Sequence, residues 1–360
     1  MKKILLITFS DNADHQDTIF GLFEEFKNED DVYVMCIKNP KVTARRDDKI
    51  WYVDCPKRPG ITKKTFNIFL LSKIIKKIRK EKFDVIYFES LHLWNIPILL
   101  FESKKTKKMH VIHEVIPHEG DSQEKMVHLM NKVICRFADV IVLHNRMYIN
   151  EMVSRYNISK DRVKFLELWR RYPEYTNPVY SHRVLFFGRM NPYKGVDNLL
   201  KIVKKCPEIN FDVVGKVDPQ VEEIVNELKS ENNVHMHTGY VSDTEMKNYF
   251  INSDWVIVPY NSASQSGIII DAYKYSRPVL AFDVGAISEQ VDHGYSGYLV
   301  NEKDINQFSK LLKKCILMNK EEYYKLSIQA YKYGIKKYST EYAKKRFLKL
   351  IDEVTENDYN

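Results

Sequence analysis

The feature that most constrains this 360-residue chain is an alternation, run twice, between short β-branched apolar stretches and stretches with apolar residues at helical spacing. In the first run MKKILLITFS, VYVMCI, DVIYFES, HVIHEV, DVIVLH and VKFLEL read as strands. HQDTIFGLFEEF, TFNIFLLSKIIKKIRK, KMVHLMNKVICRFA and RMYINEMVSRY read as helices between them. Such alternation implies a parallel sheet covered by helices. Leu168 to Arg183, with Pro173 and Pro178, interrupts the pattern and reads as a linker. The second run has VLFFG, INFDVVG, VHMHT, WVIVPY, PVLAFD and GYLV as strands, with helices between, and Ser242-Asp243-Thr244-Glu245 forms a capping-box pattern. Residues 303–356 are almost all helical. The expected organisation is residues 1–170, a linker at 171–183, a second α/β domain at 184–338 and a tail helix at 339–360. Two doubly wound domains leave a cleft, and ligands in such sheets bind outside the carboxyl ends of the strands.

Glycine narrows the search. There are only 12, about half the usual share, and eight fall between Gly188 and Gly297. No G-x-G-x-x-G follows the opening strand, so nothing there predicts a nicotinamide or flavin site. No Walker motif occurs. Glycine is kept where backbone turns sharply or approaches a ligand, which directs attention to the second half.

Other classes fall away on composition. The five cysteines are odd in number and scattered, which argues against a disulfide framework or structural zinc and for a reducing, cytoplasmic setting. The opening ILLITF is too short for a signal peptide and reads as a buried strand. No apolar run approaches the roughly 18 residues that span a bilayer.

Three constellations could carry chemistry. In FFGRMNPYKGVDNLL a strand ends at Gly188, and Arg189 and Lys194 offer a planar donor set and a point charge suited to a diphosphate. The plainer reading makes them solvated loop residues. In PYNSASQSGIIIDAYKYS a small polar loop with Ser264, Gln265 and Ser266 leads through Gly267 and Ile268 into a helix, whose amide groups bind anions. Asp271, one turn in, could accept hydrogen bonds from ribose hydroxyls. The plainer reading is a capping serine and a surface aspartate. In HVIHEVIPHEG, His113 stands at a strand end, followed by Glu114, His118 and Glu119. The spacing does not match H-E-x-x-H, so no metal site is expected. A substrate contact and a core histidine satisfied by backbone both remain open.

These strings resemble the GT-B glycosyltransferases, and most closely the large family 4 of retaining sugar transferases. The resemblance covers nearly the whole chain and is strongest from Val184 to Val300. It implies an α/β GT-B architecture: two doubly wound Rossmann-like domains facing a cleft, with a helical tail crossing back to the first. By similarity Arg189 and Lys194 would bind the donor diphosphate. Ser266, Gly267 and Ile268 would contact the distal phosphate or sugar, and Asp271 would hold the ribose. His113 would reach the donor sugar, and Tyr240 and Val241 would border the base. Gly188, Ser264 and Gln265 complete the expected donor site. The family has a glutamate eight residues before the position of Asp271; here Ala263 stands there.

The implied activity is metal-independent transfer of a sugar from a UDP- or GDP-sugar to a glycan or polyisoprenyl-linked acceptor, in surface polysaccharide synthesis. The alternative is a non-catalytic GT-B subunit supporting a partner transferase. A sugar-nucleotide epimerase is a weaker third reading.

Net charge is +8, and it is local: between Lys57 and Lys82 ten Lys and Arg face Glu81 alone. FNIFLLSKIIKKIRK has apolar residues at helical spacing, so the plain reading is an amphipathic helix on the first sheet with a solvated basic face. The functional reading is a surface that meets anionic lipid, placing the protein at the inner face of the plasma membrane. Nucleic acid is not expected, because base-reading aromatic modules are absent.

Overall fold

The computed structural model describes residues 2–26, 31–38, 47–56, 63–116, 124–175, 177–178 and 180–356. The chain divides into two compact units, Met1–Arg170 with Thr340–Asn360, and Arg171–Ser339.

The first unit is built on strands β1 (Lys3–Thr8), β2 (Asp31–Cys36), β3 (Ile50–Tyr52), β4 (Val85–Phe88), β5 (Lys107–Val111), β6 (Val140–Leu143) and β7 (Val163–Phe165). They pair in the order β3-β2-β1-β4-β5-β6-β7, every pair parallel. All residues of β4 and β6 are buried, because helices cover both faces; this is why they read as unbroken apolar runs. The chain reverses direction of growth between β1 and β4, which makes their carboxyl ends the topological switch point.

Alternate side chains feed two cores. Leu5, Ile7, Ile86 and Phe88 pack with Ile74 and Ile78 of the helix Ile68–Glu81. Ile4, Leu6, Val85 and Tyr87 pack with Phe20, Phe23 and Phe26 of the helix Ala13–Phe26 and with Phe347 and Ile351 of the helix Thr340–Glu356. Phe347 sits 5.1 Å from the Tyr87 ring, and Thr340 Oγ1 donates to Glu25 at 2.7 Å. Trp169, inside the stretch expected to be linker, is buried in this core and donates to the Thr18 carbonyl at 2.9 Å. An indole of that size needs burial and a partner for its N–H, which a solvated linker does not provide.

The second unit has β8 (Arg183–Phe187), β9 (Asn210–Gly215), β10 (Val234–Thr238), β11 (Trp255–Val258), β12 (Val279–Asp283) and β13 (Gly297–Asn301). The order is β10-β9-β8-β11-β12-β13, again all parallel, and the switch point lies between β8 and β11. Arg183, expected at the linker's end, opens β8 and pairs with Asp212, its Nε donating at 2.8 Å. The capping box at Ser242 and Glu245 forms as its spacing predicts.

Two elements escape the sequence reading. One is the three-residue β3, too short to show periodicity. The other is the helix Asn95–Phe101, whose Pro97 reads as a breaker but stands in the first turn, where its missing N–H costs nothing. The basic helix also differs from expectation. Asn67 caps it, accepting from the Leu70 amide at 3.0 Å, and only Ile74 and Ile78 are fully buried. Phe66, Ile68 and Phe69 are 71%, 67% and 84% exposed, because the helix starts beyond the sheet face that its later turns cover. Lys57 and Arg58 lie outside the described residues.

All five cysteines are buried and free. Burial pushes the thiols of Cys36, Cys55, Cys135 and Cys315 up to about 12, so none is a thiolate at neutral pH. Among the described residues no helix is long and apolar enough to cross a membrane.

Candidate active site

The second unit's switch point is made of two loops that are latched together. Beyond β8, Gly188 has φ +114° and donates to the Val214 carbonyl at 2.9 Å. A single 3-10 turn, Pro192–Lys194, follows, and Gly195 (φ +66°) starts the helix Val196–Lys205. A β-carbon on Gly195 would lie 1.8 Å from the Pro259 carbonyl oxygen, so no other residue fits where the first loop crosses the second. Asn198 Nδ2 donates to that same carbonyl at 3.0 Å and to Asn261 Oδ1 at 2.8 Å, and the Asn261 amide donates to the Tyr193 carbonyl at 2.8 Å.

The latch aims Lys194. Its Nζ lies over Gly188, where a β-carbon would come within 2.9 Å, and donates to the Tyr260 hydroxyl at 3.1 Å. Burial opposes its charge, but the Tyr260 and Tyr193 hydroxyls offset that and hold the ammonium above the ordinary lysine range. Lys194 is therefore a fixed, half-buried cation. Arg189, by contrast, is exposed.

After β11 the second loop runs to the helix Gly267–Lys274, with Ser266 as its N-cap residue. The serine does not cap. Its hydroxyl is buried without a hydrogen-bond partner. Gln290 clamps its peptide group instead, accepting from the Ser266 amide at 2.6 Å and donating to its carbonyl at 3.0 Å. The Ser266 amide is thus occupied, and the anion-binding donors left are the amides of the first helical turn, from Gly267 and Ile268 on. The Ile268 side chain packs within 3.7 Å of where a Gly188 β-carbon would stand, so the helix start and the Lys194 ammonium share one floor. Asp271 is 7% exposed, not the surface aspartate of the plainer reading. Ser264 and Gln265 are half-buried. Ala263 is buried, and its carbonyl accepts from the Ala286 amide at 3.0 Å.

Tyr240 and Val241 follow the edge strand β10, and Tyr240 is 66% exposed. None of the contacts at Gly188 or Lys194 involves them. Asn198, Tyr260 and Gln290 were missed in the sequence; each acts through a partner distant in the chain, which spacing cannot show.

In the first unit, His113 lies two residues beyond β5, and its Nε2 donates to the Glu89 carbonyl at 2.7 Å. Glu114 is half-buried there, while His118 and Glu119 lie outside the described residues.

Residues 173–333 match the model of the glycosyl transferases group 1. A 41.2 kDa protein in the cps region of Klebsiella pneumoniae is 26% identical over 312 residues, 79% of this chain and 82% of that one. A GDP-mannose:glycolipid 4-beta-D-mannosyltransferase of Xanthomonas campestris is 28% identical over 137 residues, 36% of this chain and 39% of that enzyme. In structure the chain is similar to Anabaena HepE, solved with UDP and glucose, with a TM-score of 0.73, 15% identity, and coverage of 98% of this chain and 100% of that one. The two all-parallel units have the GT-B fold, and the second carries a stretch similar to the group 1 glycosyl transferases. Within that class the chain resembles glycosyltransferase family 4.

Proposed function

We propose that the protein transfers a sugar from a nucleotide-diphosphate sugar, a UDP- or GDP-sugar, to a glycan or polyisoprenyl-linked acceptor in surface polysaccharide synthesis. The observation that carries this is the Lys194 ammonium fixed over Gly188 beside a helix start, at the second sheet's switch point. The Klebsiella and Xanthomonas relatives support the substrate class.

In this reading the donor's diphosphate lies between Lys194 and the amides of Gly267 and Ile268, with the unpartnered Ser266 hydroxyl as a further donor. Arg189 adds charge from solvent. Asp271, Ser264 and Gln265 serve the donor's hydroxyls, Tyr240 and Val241 its base, and His113 its sugar. The chemistry is electrostatic. As the bond to the anomeric carbon breaks, charge builds on the diphosphate, and preorganised donors stabilise it without reorganising. No metal is needed for that step, and retention of configuration follows the resemblance. Thermal shift with UDP-, GDP-, ADP- and CMP-sugars tests the donor. One nucleotide class is expected to raise the melting temperature, and no response to any of them at millimolar ligand would sink the assignment.

A second reading, a non-catalytic subunit that supports a partner transferase, is favoured by Ala263. Its side chain is a buried methyl where the family has a glutamate. Donor binding without transfer to any acceptor, in the presence of an active partner, would select it.

The acceptor's lipid is proposed to bring the first unit to an anionic bilayer. Phe66, Ile68 and Phe69 form an exposed apolar tip on a helix whose Lys73, Lys76, Arg79 and Lys80 are exposed. Lys77 is less available, with its Nζ 3.8 Å from the Trp51 ring. Each lysine near such a surface contributes about 1 kcal/mol. Replacing Lys73, Lys76 and Lys80 by Gln should weaken sedimentation with phosphatidylglycerol vesicles by about 10²-fold. Equal binding of the parent chain to phosphatidylcholine vesicles counts against the idea.

A further inference from the structure

The loop after β11 ends in a serine that stands at the start of a helix and is held away from capping it. An N-cap serine ordinarily turns its oxygen to the amide two or three residues on and so occupies that donor. Ser242 does this, accepting from the Glu245 amide at 3.3 Å with its backbone at φ −70° and ψ 161°. Ser266 has φ −132° and ψ 114° and makes no capping bond. It is 4% exposed, and its hydroxyl has no hydrogen-bond partner. The amide three residues on, which it would cap, is that of Ile269 in the first turn of the helix Gly267–Lys274.

What holds Ser266 in this conformation is Gln290. Its side-chain oxygen accepts from the Ser266 amide at 2.6 Å, and its nitrogen donates to the Ser266 carbonyl at 3.0 Å. Those two groups belong to the peptides on either side of one α-carbon, so a single planar carboxamide fixes both dihedrals. Gln290 is itself tied down. It is 7% exposed, and its carbonyl accepts at 3.1 Å from the Tyr273 hydroxyl, which also lies 2.9 Å from Ser296 Oγ. Tyr273 is fully buried on the same helix that Ser266 begins, and burial holds its phenol well above the ordinary range, so it carries the proton it donates. A few residues earlier the Ala286 amide donates to the Ala263 carbonyl at 3.0 Å, and a β-carbon on Gly285 (φ +53°) would lie 1.9 Å from that carbonyl oxygen. The segment from Gly285 to Gln290 is therefore stitched to the loop at two points. A buried hydroxyl left without a bond is a cost to the fold, and a capping bond would remove it. A buried glutamine prevents that bond.

We propose that Gln290 is a positioning residue of the donor site, which keeps Ser266 from capping the helix Gly267–Lys274 and so leaves the first-turn amides and the serine hydroxyl to the donor's phosphate. This rests on the glycosyltransferase reading above. A helix start binds an anion through amides that have no intrahelical partner. A capping oxygen would take one of those amides and turn its own lone pairs toward the phosphate. The uncapped serine instead has its proton available for a phosphate oxygen. The Lys194 ammonium and the helix start share one floor at Gly188 and Ile268, so the brace sets the neutral donors against the fixed cation. Gln290 makes and breaks no covalent bond and need not touch the substrate. It acts through Ser266, on contacts that strengthen as charge builds on the diphosphate.

The test uses the full chain and calorimetry with UDP and with GDP. Gln290→Met keeps the volume and removes both bonds to Ser266. It should weaken the Kd for whichever diphosphate the parent binds by about 10–10²-fold, the effect of a hydrogen bond to a charged group. Ser266→Ala is then made in both backgrounds. In the parent it should weaken binding and leave the melting temperature unchanged, because the hydroxyl makes no cap there. In Gln290→Met it should recover part of the binding, because the released hydroxyl no longer takes the Ile269 amide. A glutamine with a merely structural role does not reverse the sign of a second substitution. Equal losses from Ser266→Ala in the two backgrounds overturn the proposal. If Gln290→Met does not fold, Gln290→Glu decides. It keeps the shape and the bond from the Ser266 amide, but its carboxylate cannot donate to the Ser266 carbonyl, so binding should fall, and parental affinity overturns the proposal. A parent chain that binds neither UDP nor GDP overturns this proposal and the function beneath it together. A parent that binds one of them, with a Gln290→Met chain that binds it equally well, overturns this one alone.

Discussion

Replacing Lys194 by Ala is expected to lower turnover by about 10²–10³-fold, the cost of removing one preorganised donor from a developing anion, or about 3–4 kcal/mol. The expectation follows from where the ammonium is held. It lies against Gly188, anchored by the Tyr260 hydroxyl, so under the proposed function it would meet the diphosphate already in place. The melting temperature should hold, since the side chain contributes one hydrogen bond. Lys194→Arg should not restore the rate, because a planar guanidinium does not reproduce a compact point charge held by the Tyr260 hydroxyl. Arg189→Ala should cost less, about tenfold, because an exposed guanidinium is already screened by water. Steady-state kinetics with a saturating acceptor measure both. A Lys194→Ala enzyme with parental turnover would remove the donor site from the second unit's switch point.

The second large effect is on stability. Phe347→Ala is expected to cost about 3–5 kcal/mol, the usual range for an aromatic removed from a closed core. Phe347 is fully buried, 5.1 Å from Tyr87 and 6.1 Å from Phe26, on a helix separated from the rest of its unit by the whole second unit. Denaturant titration should show the loss in the first unit's transition. Nucleotide-sugar binding, proposed above for the second unit, should persist below that transition. A loss under 1 kcal/mol would mean that the helix Thr340–Glu356 is not integral to the first core.

Much of this was legible in the sequence, for a physical reason. Strands buried on both faces must be apolar throughout, so VLFFG, WVIVPY and DVIVLH announce a covered parallel sheet. A loop in which an added β-carbon would lie 1.8 Å from another backbone's carbonyl oxygen can hold only glycine, so Gly195 marks the crossing before the partner is known. What spacing could not show are the pairings made by the sheet order. Gln290 reaches Ser266 from 24 residues away. Nothing near either residue in the chain signals the other. Phe66 and Phe69 illustrate the opposite error. Their spacing is helical, but periodicity says which residues share a face and not whether anything covers it.

The split of the first unit, Met1–Arg170 completed by Thr340–Asn360, has a consequence for synthesis. On the ribosome, the strands of the first sheet emerge early but lack the aromatic and aliphatic side chains at Phe347, Leu350, Ile351 and Val354 that close one of its two cores. The second unit is contiguous and can complete itself as soon as Ser339 has cleared the exit tunnel. The later-made half is thus positioned to finish folding before the earlier-made one. During that interval the incomplete first unit exposes the apolar groove that its last helix will fill, which is the kind of surface that chaperones hold.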